Sequence, residues 1–415
     1  MAHVFPFPCM RPTPAAAEAF SSLPFDFYSV EEADMIMGAD PQSFMHVDAA
    51  GVKYTTPSGR KTEFPFRYAR RLLNHYIVDG KYFMDIEDSF YLYRLTTADG
   101  HSQTGIMGAV SIDDGEDGTI RRHESTRVDK ENGCITHMAN CGSQTSAVFL
   151  AFRNNPKIRA IMDDALTRKP LYDFNADDVQ NTCWKINDPA ECAALSAAFE
   201  DIEALYIADG HHRTAANLRY GMQMRAERTS HRSDGRHYAS ERMMSIMFPA
   251  DELTIHDYNR AVADLNGKSV QEFLAEVSRE FTIEGPFKEP YKPTERATFG
   301  MFLDGDWYKL TYTGVMASST VGCLDVAILQ DHLLDPILGI EDPRKDKRID
   351  FVRGTRGIKA LETRLVNGQP CRVSFAMFPT DIEDLFAIAD ANQLMPPKST
   401  CFEPKIRSGI FVYPV

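Results

Sequence analysis

The spacing of apolar residues changes from helical to strand-like several times along this chain. Apolar residues recur every three or four positions over residues 64–80, which predicts a helix that ends at Gly80. Residues 89–95 alternate and are rich in aromatic side chains, and residues 104–112 are largely apolar, so both stretches predict strands. The acidic residues at 113–118 then predict a solvent-exposed hairpin turn.

Short elements and hairpins are predicted on either side of these segments. Ser29 precedes a helical segment, and Glu32 lies three residues after Ser29, a spacing typical of a capping box. Residues 40–44 predict a turn that leads into a strand at Met45–Val47. The Asp304–Gly305 pair predicts a tight hairpin. This mixture of helices and antiparallel hairpins predicts an α+β fold.

The segment with the clearest chemistry is a strand that leads through a tight turn into a helix. Residues 204–208 are apolar and predict the strand, and residues 214–228 are strong helix formers. Backbone N–H groups at a helix start and the helix dipole favour an anion between these two elements. Gly210 lets the backbone approach such a ligand closely, and Arg213 can bind a phosphate group through two parallel hydrogen bonds.

The other side chains of this turn add two donors and a carboxylate. His211 and His212 can donate hydrogen bonds to a phosphate, and Asp209 can hold a metal ion or accept a proton. Adjacent residues on a helix point about 100° apart, so the two histidines are poorly placed to bind one ion together. The alternative is a charged helix start with solvated histidines, and the sequence alone leaves both interpretations open.

A second charged segment lies at residues 121–127. It contains three arginines together with His123 and Glu124. A glutamate among cations stays ionised, so Glu124 is a candidate base for a hydroxyl group or a partner that orients an arginine. A run of surface ion pairs is the alternative interpretation of this segment.

The C-terminal region offers a third candidate segment. Lys398, Ser399 and Thr400 place an ammonium group and two hydroxyl groups in a row, which suits phosphate oxygens. The glycine pattern that precedes the lysine of a P-loop is missing, so the segment is not that motif. A basic C-terminal turn without a ligand is the alternative.

The composition narrows the classes of protein and partner. The chain has 45 Lys+Arg against 59 Asp+Glu, a formal net charge of −14, which argues against a general nucleic-acid binder. No apolar run approaches the roughly 20 residues of a membrane-spanning helix, and the N-terminus lacks the pattern of a signal peptide. The 8 cysteines are scattered and form no Cys-x-x-Cys pair, so we expect reduced thiols and a cytoplasmic location.

Several short motifs resemble a bacterial and archaeal family that is catalogued as a domain of unknown function. The turn at 209–213 and the tail at 395–400 are the most specific of them. The resemblance extends over nearly the whole chain. Its other motifs lie at Pro24–Asp26, Glu31–Ala33, Asp40–Phe44, His123–Thr126, Pro404–Lys405 and Ser408–Gly409.

This family in turn resembles the ParB and sulfiredoxin superfamily, in which a turn at a helix start grips nucleotide phosphates. The resemblance implies a ParB/sulfiredoxin-like nucleotide-binding core in residues 1–240. Residues 241–345 are then expected to form an additional α+β domain or an insertion, and residues 346–415 to return to the core. The closest functional relatives in the superfamily are the free serine kinases, which phosphorylate L-serine to O-phospho-L-serine.

The resemblance therefore implies a phosphotransferase, with a free serine kinase as its leading form. ATP or ADP would bind at Gly210, His211, His212 and Arg213, with Lys398, Ser399 and Thr400 as a second wall of the same site. Asp209 would hold Mg²⁺ or orient the acceptor, and Glu124 would take the hydroxyl proton with His123 beside it. The expected partner is a small molecule such as a free amino acid, with no nucleic acid and no membrane, and the oligomeric state stays open.

Two other functions remain as alternatives to the kinase. A nucleotide-gated switch or binding module of the ParB type would bind a nucleotide without a small-molecule acceptor. A sulfiredoxin-like phosphorylation of an acid or sulfinate would need a reactive cysteine beside the arginine of the turn, and His212 occupies that position.

Overall fold

The chain divides into two units in the computed structural model, which describes residues 1–49, 65–229 and 238–415. The first unit contains Met1–Leu253 and Pro404–Val415, and the second contains Thr254–Glu403. The chain thus leaves the first unit once and returns to it for its last residues. A return from residue 346 onwards was expected from the sequence, and the return begins at Pro404 instead.

Strands and helices are numbered separately in chain order. The strands are β1 (Val4–Phe5), β2 (Met10–Pro12), β3 (Tyr82–Met84), β4 (Phe90–Thr97), β5 (Ser102–Ser111), β6 (Ile120–Arg121), β7 (Ser143–Gln144), β8 (Val148–Phe152), β9 (Tyr172–Ala176), β10 (Val179–Ile186), β11 (Leu205–Asp209), β12 (Arg242–Pro249), β13 (Ile255–His256), β14 (Tyr258–Val262), β15 (Phe281–Phe287), β16 (Thr298–Leu303), β17 (Asp306–Tyr312), β18 (Ile349–Arg353), β19 (Leu365–Val366), β20 (Gln369–Pro370), β21 (Val373–Ala376), β22 (Cys401–Phe402) and β23 (Tyr413–Pro414).

The helices of the described residues belong to both units. They are α1 (Ala17–Phe20), α2 (Val30–Ala39), α3 (Met45–Asp48), α4 (Pro65–Val78), α5 (Asp113–Glu116), α6 (Val128–Cys141), α7 (Pro156–Leu166), α8 (Pro189–Glu200), α9 (His211–Thr229), α10 (Val270–Val277), α11 (Asp325–Leu329) and α12 (Ile382–Asp390). None of these helices is long and apolar enough to cross a membrane.

A mixed sheet forms the centre of the first unit. Within the described residues, its strands lie in the order β6-β11-β8-β12-β5-β4-β10-β9, and β1 pairs with β5 off this path. Two of the pairs are parallel, β6 with β11 and β8 with β12. Every residue of β8 is buried, as expected for a central strand that is covered on both faces.

Helices α7 and α8 pack against this sheet. Ile158 and Met162 of α7 and Leu195 and Phe199 of α8 share one apolar core with Leu150 of β8. Burial of side chains of this size is the main stabilising contribution to such a layer. The core therefore fixes β8 and its neighbour β11, whose end carries the candidate site.

Several predicted elements are confirmed because their signals are local. In the capping box of α2, Ser29 Oγ accepts a hydrogen bond from Glu32 N–H at 3.1 Å, and Glu32 Oε2 accepts one from Ser29 N–H at 2.8 Å. The predicted strands at 89–95 and 104–112 are β4 and β5. The overall mixture of helices and largely antiparallel sheets is α+β, as predicted.

Two local predictions are wrong. Met45–Val47 lies in α3 rather than in a strand, and all three of its residues are buried, so the segment shows no alternation that could distinguish the two structures. The acidic residues at 113–118 form α5 and a following turn rather than a hairpin turn, since the flanking β5 and β6 are not paired. Asp114 is buried there, and its carboxylate accepts a hydrogen bond from His3 N–H at 2.7 Å.

The second unit, all of whose residues are described, is built on an antiparallel sheet. Its strands lie in the order β15-β17-β16-β21-β14-β18. The predicted hairpin joins β16 to β17 through Asp304 and Gly305, whose φ angles of +54° and +90° are those that a type I′ turn requires. This agreement shows that turn chemistry sets the register of the two strands.

Candidate functional site

The candidate site lies where β11 runs into α9. β11 ends at Asp209 and α9 begins at His211, so Gly210 alone forms the connection. Gly210 has a φ of +91°, a left-handed conformation that other residues rarely adopt. The first helical hydrogen bond runs from Thr214 N–H to the Gly210 carbonyl at 2.8 Å. The predicted turn is therefore a one-residue connection between a strand and a helix.

Arg213 lies back against this connection. A Cβ atom on Gly210 would come within 3.2 Å of Arg213 Nε and 3.3 Å of its Cζ. Arg213 also donates a hydrogen bond to the carbonyl of Ala147. The guanidinium is thus held beside the N–H groups of the first helical turn, where its charge and the helix dipole act together on an anion.

Asp209 is engaged by a lysine from the C-terminal segment. Its Oδ2 accepts a hydrogen bond from Lys405 Nζ at 2.6 Å, and its Oδ1 accepts one from Gly210 N–H at 2.8 Å. Desolvation would raise the pKa of Asp209, but the charges of Lys405 and Arg213 outweigh it and hold the pKa below its usual range. Asp209 is therefore ionised at neutral pH and fastens the C-terminal segment to the turn.

The parallel pairing of β6 with β11 brings the second charged segment to the same turn. Arg121 pairs with Tyr206, so the residues after β6 run beside the end of β11. The ring of His123 meets the ring of His211 edge to face, with centroids 4.6 Å apart. Glu124 Oε2 lies 3.9 Å from His211 Nδ1. Residues that are distant in the sequence thus form one cluster at the N-terminus of α9.

Both histidines of this cluster are neutral at pH 7. Burial lowers the pKa of His211 to about 4, although Asp209 opposes the shift. Burial and the neighbouring His211 lower the pKa of His123 well below its ordinary range. Nδ1 of His123 and Nε2 of His211 are buried and have no hydrogen-bond partner among the described residues. Such atoms are available to a water molecule or to a ligand.

His212 acts on a different group from His211. It is half-buried and lies near Glu131 of α6. Hydrogen bonds from Thr126 and Arg219 lower the pKa of Glu131, and His212 adds to the shift. The two adjacent histidines therefore lie near different carboxylates, Glu124 for His211 and Glu131 for His212, as expected for consecutive positions of a helix.

The third predicted segment, Lys398–Thr400, belongs to the second unit. Within that unit, Ser399 is buried, and its hydroxyl group donates a hydrogen bond to the Pro396 carbonyl at 2.6 Å. The shared site of this segment and the turn of the first unit stays a prediction.

The predicted Mg²⁺ site at Asp209 stays a prediction. Both carboxylate oxygens of Asp209 accept hydrogen bonds, and the ammonium group of Lys405 repels a second cation. Across residues 1–49, 65–229 and 238–415, no three His, Cys, Asp or Glu side chains come together in a group that could hold a metal ion. Within the described residues, the hydrogen bonds of the Asp209 carboxylate are those from Lys405 and from Gly210 N–H.

Two contacts of the site leave no signal in the sequence. Lys405 belongs to the Pro404–Lys405 motif, but nothing in the sequence pairs it with Asp209. The carbonyl of Ala147, which holds Arg213, is a backbone atom that any residue would supply. Both contacts depend on the tertiary fold.

The chain belongs to the family described as "Protein of unknown function (DUF1015)", whose family model matches residues 4–327. This match confirms the resemblance to a domain family of unknown function. The matched range includes the segment at 121–127 and the turn at 209–213. A search of the curated proteins finds no match.

Solved structures show only a distant likeness. SbnI with C-terminal truncation from Staphylococcus aureus has a TM-score of 0.37 and 10% identity, over 72% of this chain and 84% of that chain. A conserved hypothetical protein from Pyrococcus furiosus has a TM-score of 0.35 and 12% identity, over 74% and 94%. A free serine kinase in complex with AMP has a TM-score of 0.32 and 11% identity, over 74% and 92%. TM-scores this low establish neither a shared fold nor a shared activity.

Proposed function

We propose that this member of the DUF1015 family is a nucleotide-dependent phosphotransferase that acts on a small hydroxyl substrate, with L-serine as the first acceptor to test. The observation that carries the proposal is the position of the Glu124 carboxylate, 3.9 Å from His211 at the N-terminus of α9. An anion site and a carboxylate base side by side are the two parts that phosphoryl transfer to a hydroxyl group needs.

The phosphates of ATP or ADP would lie against Gly210 and the first turn of α9. This helix has 19 residues, so its N-terminus carries the full positive end of a helix dipole. The backbone N–H groups of the first turn of a helix point out of its N-terminus, and the guanidinium of Arg213 adds a two-pronged donor. These features support binding of a phosphate chain.

Glu124 would act as the general base. In the transfer, the O–H bond of the acceptor breaks and its proton moves to Glu124. The acceptor oxygen forms a bond to the terminal phosphorus, and the bond from that phosphorus to the nucleotide's leaving oxygen breaks. Neutral His211 would orient Glu124 through Nδ1, and their 3.9 Å separation would shorten to a hydrogen bond in the substrate complex.

The proposal includes a ParB/sulfiredoxin-like core in the first unit. The turn at 209–213 supports this, because that superfamily grips phosphates with a turn of this kind at a helix start. The site shared between the turn and Lys398–Thr400 stays a prediction from the sequence and is not part of this proposal. Asp209 stays the predicted contact for Mg²⁺, which would neutralise charge on the nucleotide phosphates.

Isothermal titration with ADP and ATP tests the turn directly. Arg213→Ala is expected to weaken nucleotide binding about tenfold to hundredfold, because it removes a charge-assisted hydrogen bond, while the protein stays folded. Arg71→Ala removes an exposed arginine of α4 in the same unit and should keep the wild-type affinity. If Arg213→Ala binds nucleotide as tightly as the wild type, the assignment of the turn is wrong.

A further inference from the structure

Arg260 of β14 is a buried cation of the second unit. It is 3% exposed, and its guanidinium donates hydrogen bonds to the carbonyl groups of Tyr258, Pro397 and Lys398, the last two at 3.4 and 3.2 Å. No carboxylate of the described residues contributes to its electrostatics. Burial lowers its pKa to about 10, so the group is still charged at neutral pH.

A buried charge of this kind normally has a counter-charge. Removing a cation from water is unfavourable unless an anion compensates it. The three carbonyl groups satisfy hydrogen bonds of Arg260, but they supply dipoles rather than a negative charge. An anion from solution that reached this region would therefore be bound favourably.

Two further cations and two aromatic rings lie on the same side of this strand pair. In the antiparallel register of β14 and β18, Tyr258 is opposite Arg353 and Arg260 is opposite Phe351. These four side chains therefore project from one face of the sheet. Lys398 Nζ lies 5.7 Å from the centre of the Tyr258 ring, so Lys398 is the second further cation on this face.

The charges on this face do not cancel. Glu403 faces Arg353 with an N–O distance of 3.7 Å. Lys398 is exposed and forms no ion pair with the described residues of its unit. Arg260 and Lys398 are thus two cations in excess, and they are directly linked, because Arg260 Nη2 donates to the Lys398 carbonyl.

Hydrogen bonds from two side chains hold the turn that carries Lys398. Lys398 has a φ of +58°, which is uncommon for a residue with a side chain and is found at ligand sites more often than elsewhere. Ser399 Oγ donates to the Pro396 carbonyl at 2.6 Å, and Thr380 Oγ1 donates to the Ser399 carbonyl at 2.9 Å. A ligand of Lys398 would therefore lose little backbone entropy to this turn on binding.

We propose that the second unit carries an anion-binding site of its own, in which Lys398 Nζ contacts a phosphoryl group and Arg260 supplies a buried positive charge next to it. A phosphoryl group fits best, because it carries nearly two negative charges at neutral pH and meets two cations in excess. The group can belong to a free anion such as pyrophosphate or to the phosphate chain of a nucleotide. This site does not depend on the turn at 209–213.

A structural role of Arg260 is the competing explanation. Arg260 would then only hold the turn at 396–398 by donating hydrogen bonds to the carbonyl groups of that turn. The side chain of Lys398 would have no effect on anion binding. The two explanations therefore differ at Lys398, which can be replaced without removing any of the contacts that hold the turn.

Titration of the full chain with sodium pyrophosphate distinguishes them. The test is made in the Arg213→Ala variant, which lacks the side-chain phosphate contact of the turn. That variant should bind pyrophosphate, and adding Lys398→Ala should weaken this binding about tenfold to hundredfold. Lys359→Ala removes an exposed lysine of the same unit and should leave the affinity unchanged. Lys398→Arg should restore most of the affinity. Arg260→Met should abolish pyrophosphate binding at this site if the variant folds. If Arg260→Met does not fold, Lys398→Ala alone distinguishes the two explanations.

The Arg213→Ala variant separates this inference from the proposed function. Pyrophosphate binding that depends on Lys398 should persist in Arg213→Ala, whether or not the protein transfers phosphate. Competition of ADP with pyrophosphate in that variant would assign the site to a nucleotide, and absence of competition would assign it to a free anion. The inference is wrong if Arg213→Ala does not bind pyrophosphate, or if adding Lys398→Ala leaves that binding unchanged.

Discussion

His211 shows how strongly a single residue depends on its surroundings. In the folded chain it binds a proton only below about pH 4, whereas an ordinary histidine does so below 6.5. Between these values the unfolded chain binds more protons than the folded chain, so the free energy of unfolding rises with pH. His123, whose pKa is also lowered, acts in the same direction. The cluster that we assign to catalysis is therefore sensitive to acid.

We predict that the contribution of neutral His211 to the free energy of unfolding is fully present above about pH 6.5 and is lost as the pH falls towards 4. The contribution of His211 is at most about 1.4 kcal/mol per pH unit. His211→Gln should reduce the slope by that amount, which urea unfolding across this pH range measures. His75→Gln removes an exposed histidine of α4 and should leave the slope unchanged. Equal slopes in the wild type and His211→Gln would contradict a buried neutral imidazole.

The role of Gly210 in the turn can be tested by comparing the same substitution at Gly210 and at Gly118. Gly210 and Gly118 both have a left-handed φ, +91° and +84°, but only at Gly210 would a Cβ atom meet a neighbour, Arg213. Alanine at either position should cost about 1 kcal/mol of stability from the backbone alone. Only Gly210→Ala should also displace Arg213 and weaken nucleotide binding. Equal nucleotide affinity in the two variants, measured by titration, would show that the close approach at Gly210 is unimportant.

The C-terminal segment contacts the candidate site, although the site itself is formed by the end of β11 and the start of α9. Tyr413 of β23 pairs with Gln144 of β7, and Val412 and Met10 exchange two backbone hydrogen bonds of 2.9 Å. These contacts fix the segment along the first unit. Lys405 is thereby positioned to neutralise the carboxylate at the end of β11.

We predict that Lys405→Met lowers the free energy of unfolding by about 1–3 kcal/mol, because it leaves a partly buried carboxylate without its ammonium partner. Lys157→Met is the matched control. Lys157 pairs with Asp201 at 2.7 Å on the surface, where such a pair contributes at most about 1 kcal/mol. Chemical denaturation of the two variants measures the difference. Equal losses would mean that Lys405 and Asp209 form an ordinary surface pair.

Elements whose signals are local could be predicted from the sequence, and contacts between distant segments could not. The capping box of α2 and the Asp304–Gly305 hairpin depend on neighbouring residues, so spacing alone identifies them. The segment Met45–Val47 was predicted wrongly, because a short apolar stretch has no period. The pairing of β6 with β11 brings Glu124 to α9, and no local pattern encodes that pairing. The sequence thus indicates candidate residues, but their arrangement depends on the fold.

At the scale of the whole molecule, the second unit is inserted between two neighbouring points of the first. Gln103 Nε2 donates to the Pro404 carbonyl at 2.9 Å, and Thr104 N–H donates to Glu252 Oε2 at 2.8 Å. Gln103 and Thr104 are consecutive residues of β5. They therefore bring together the point where the chain leaves the first unit, at Glu252, and the point where it returns, at Pro404. Insertions at such points leave the host fold intact.

We predict that the first unit folds when residues 254–403 are replaced by a Gly–Ser linker of about six residues, which spans roughly 13 Å. A single cooperative thermal transition and nucleotide binding at wild-type affinity are expected, because the turn at 209–213 lies wholly in this unit. A folded protein that no longer binds nucleotide would contradict this and would mean that residues of the second unit, such as Lys398, contribute to the same site.

Phosphoryl transfer is tested most directly by ³¹P NMR of the full chain with L-serine, Mg²⁺ and ATP or ADP. A new phosphomonoester signal should grow with time in the wild type and in Glu203→Gln, an exposed control beside β6. It should be absent in Glu124→Gln, which keeps the shape of the side chain but cannot accept the hydroxyl proton. Bound nucleotide without any new signal, or a signal of equal rate in Glu124→Gln, would contradict the proposed transfer and the role of Glu124 in it.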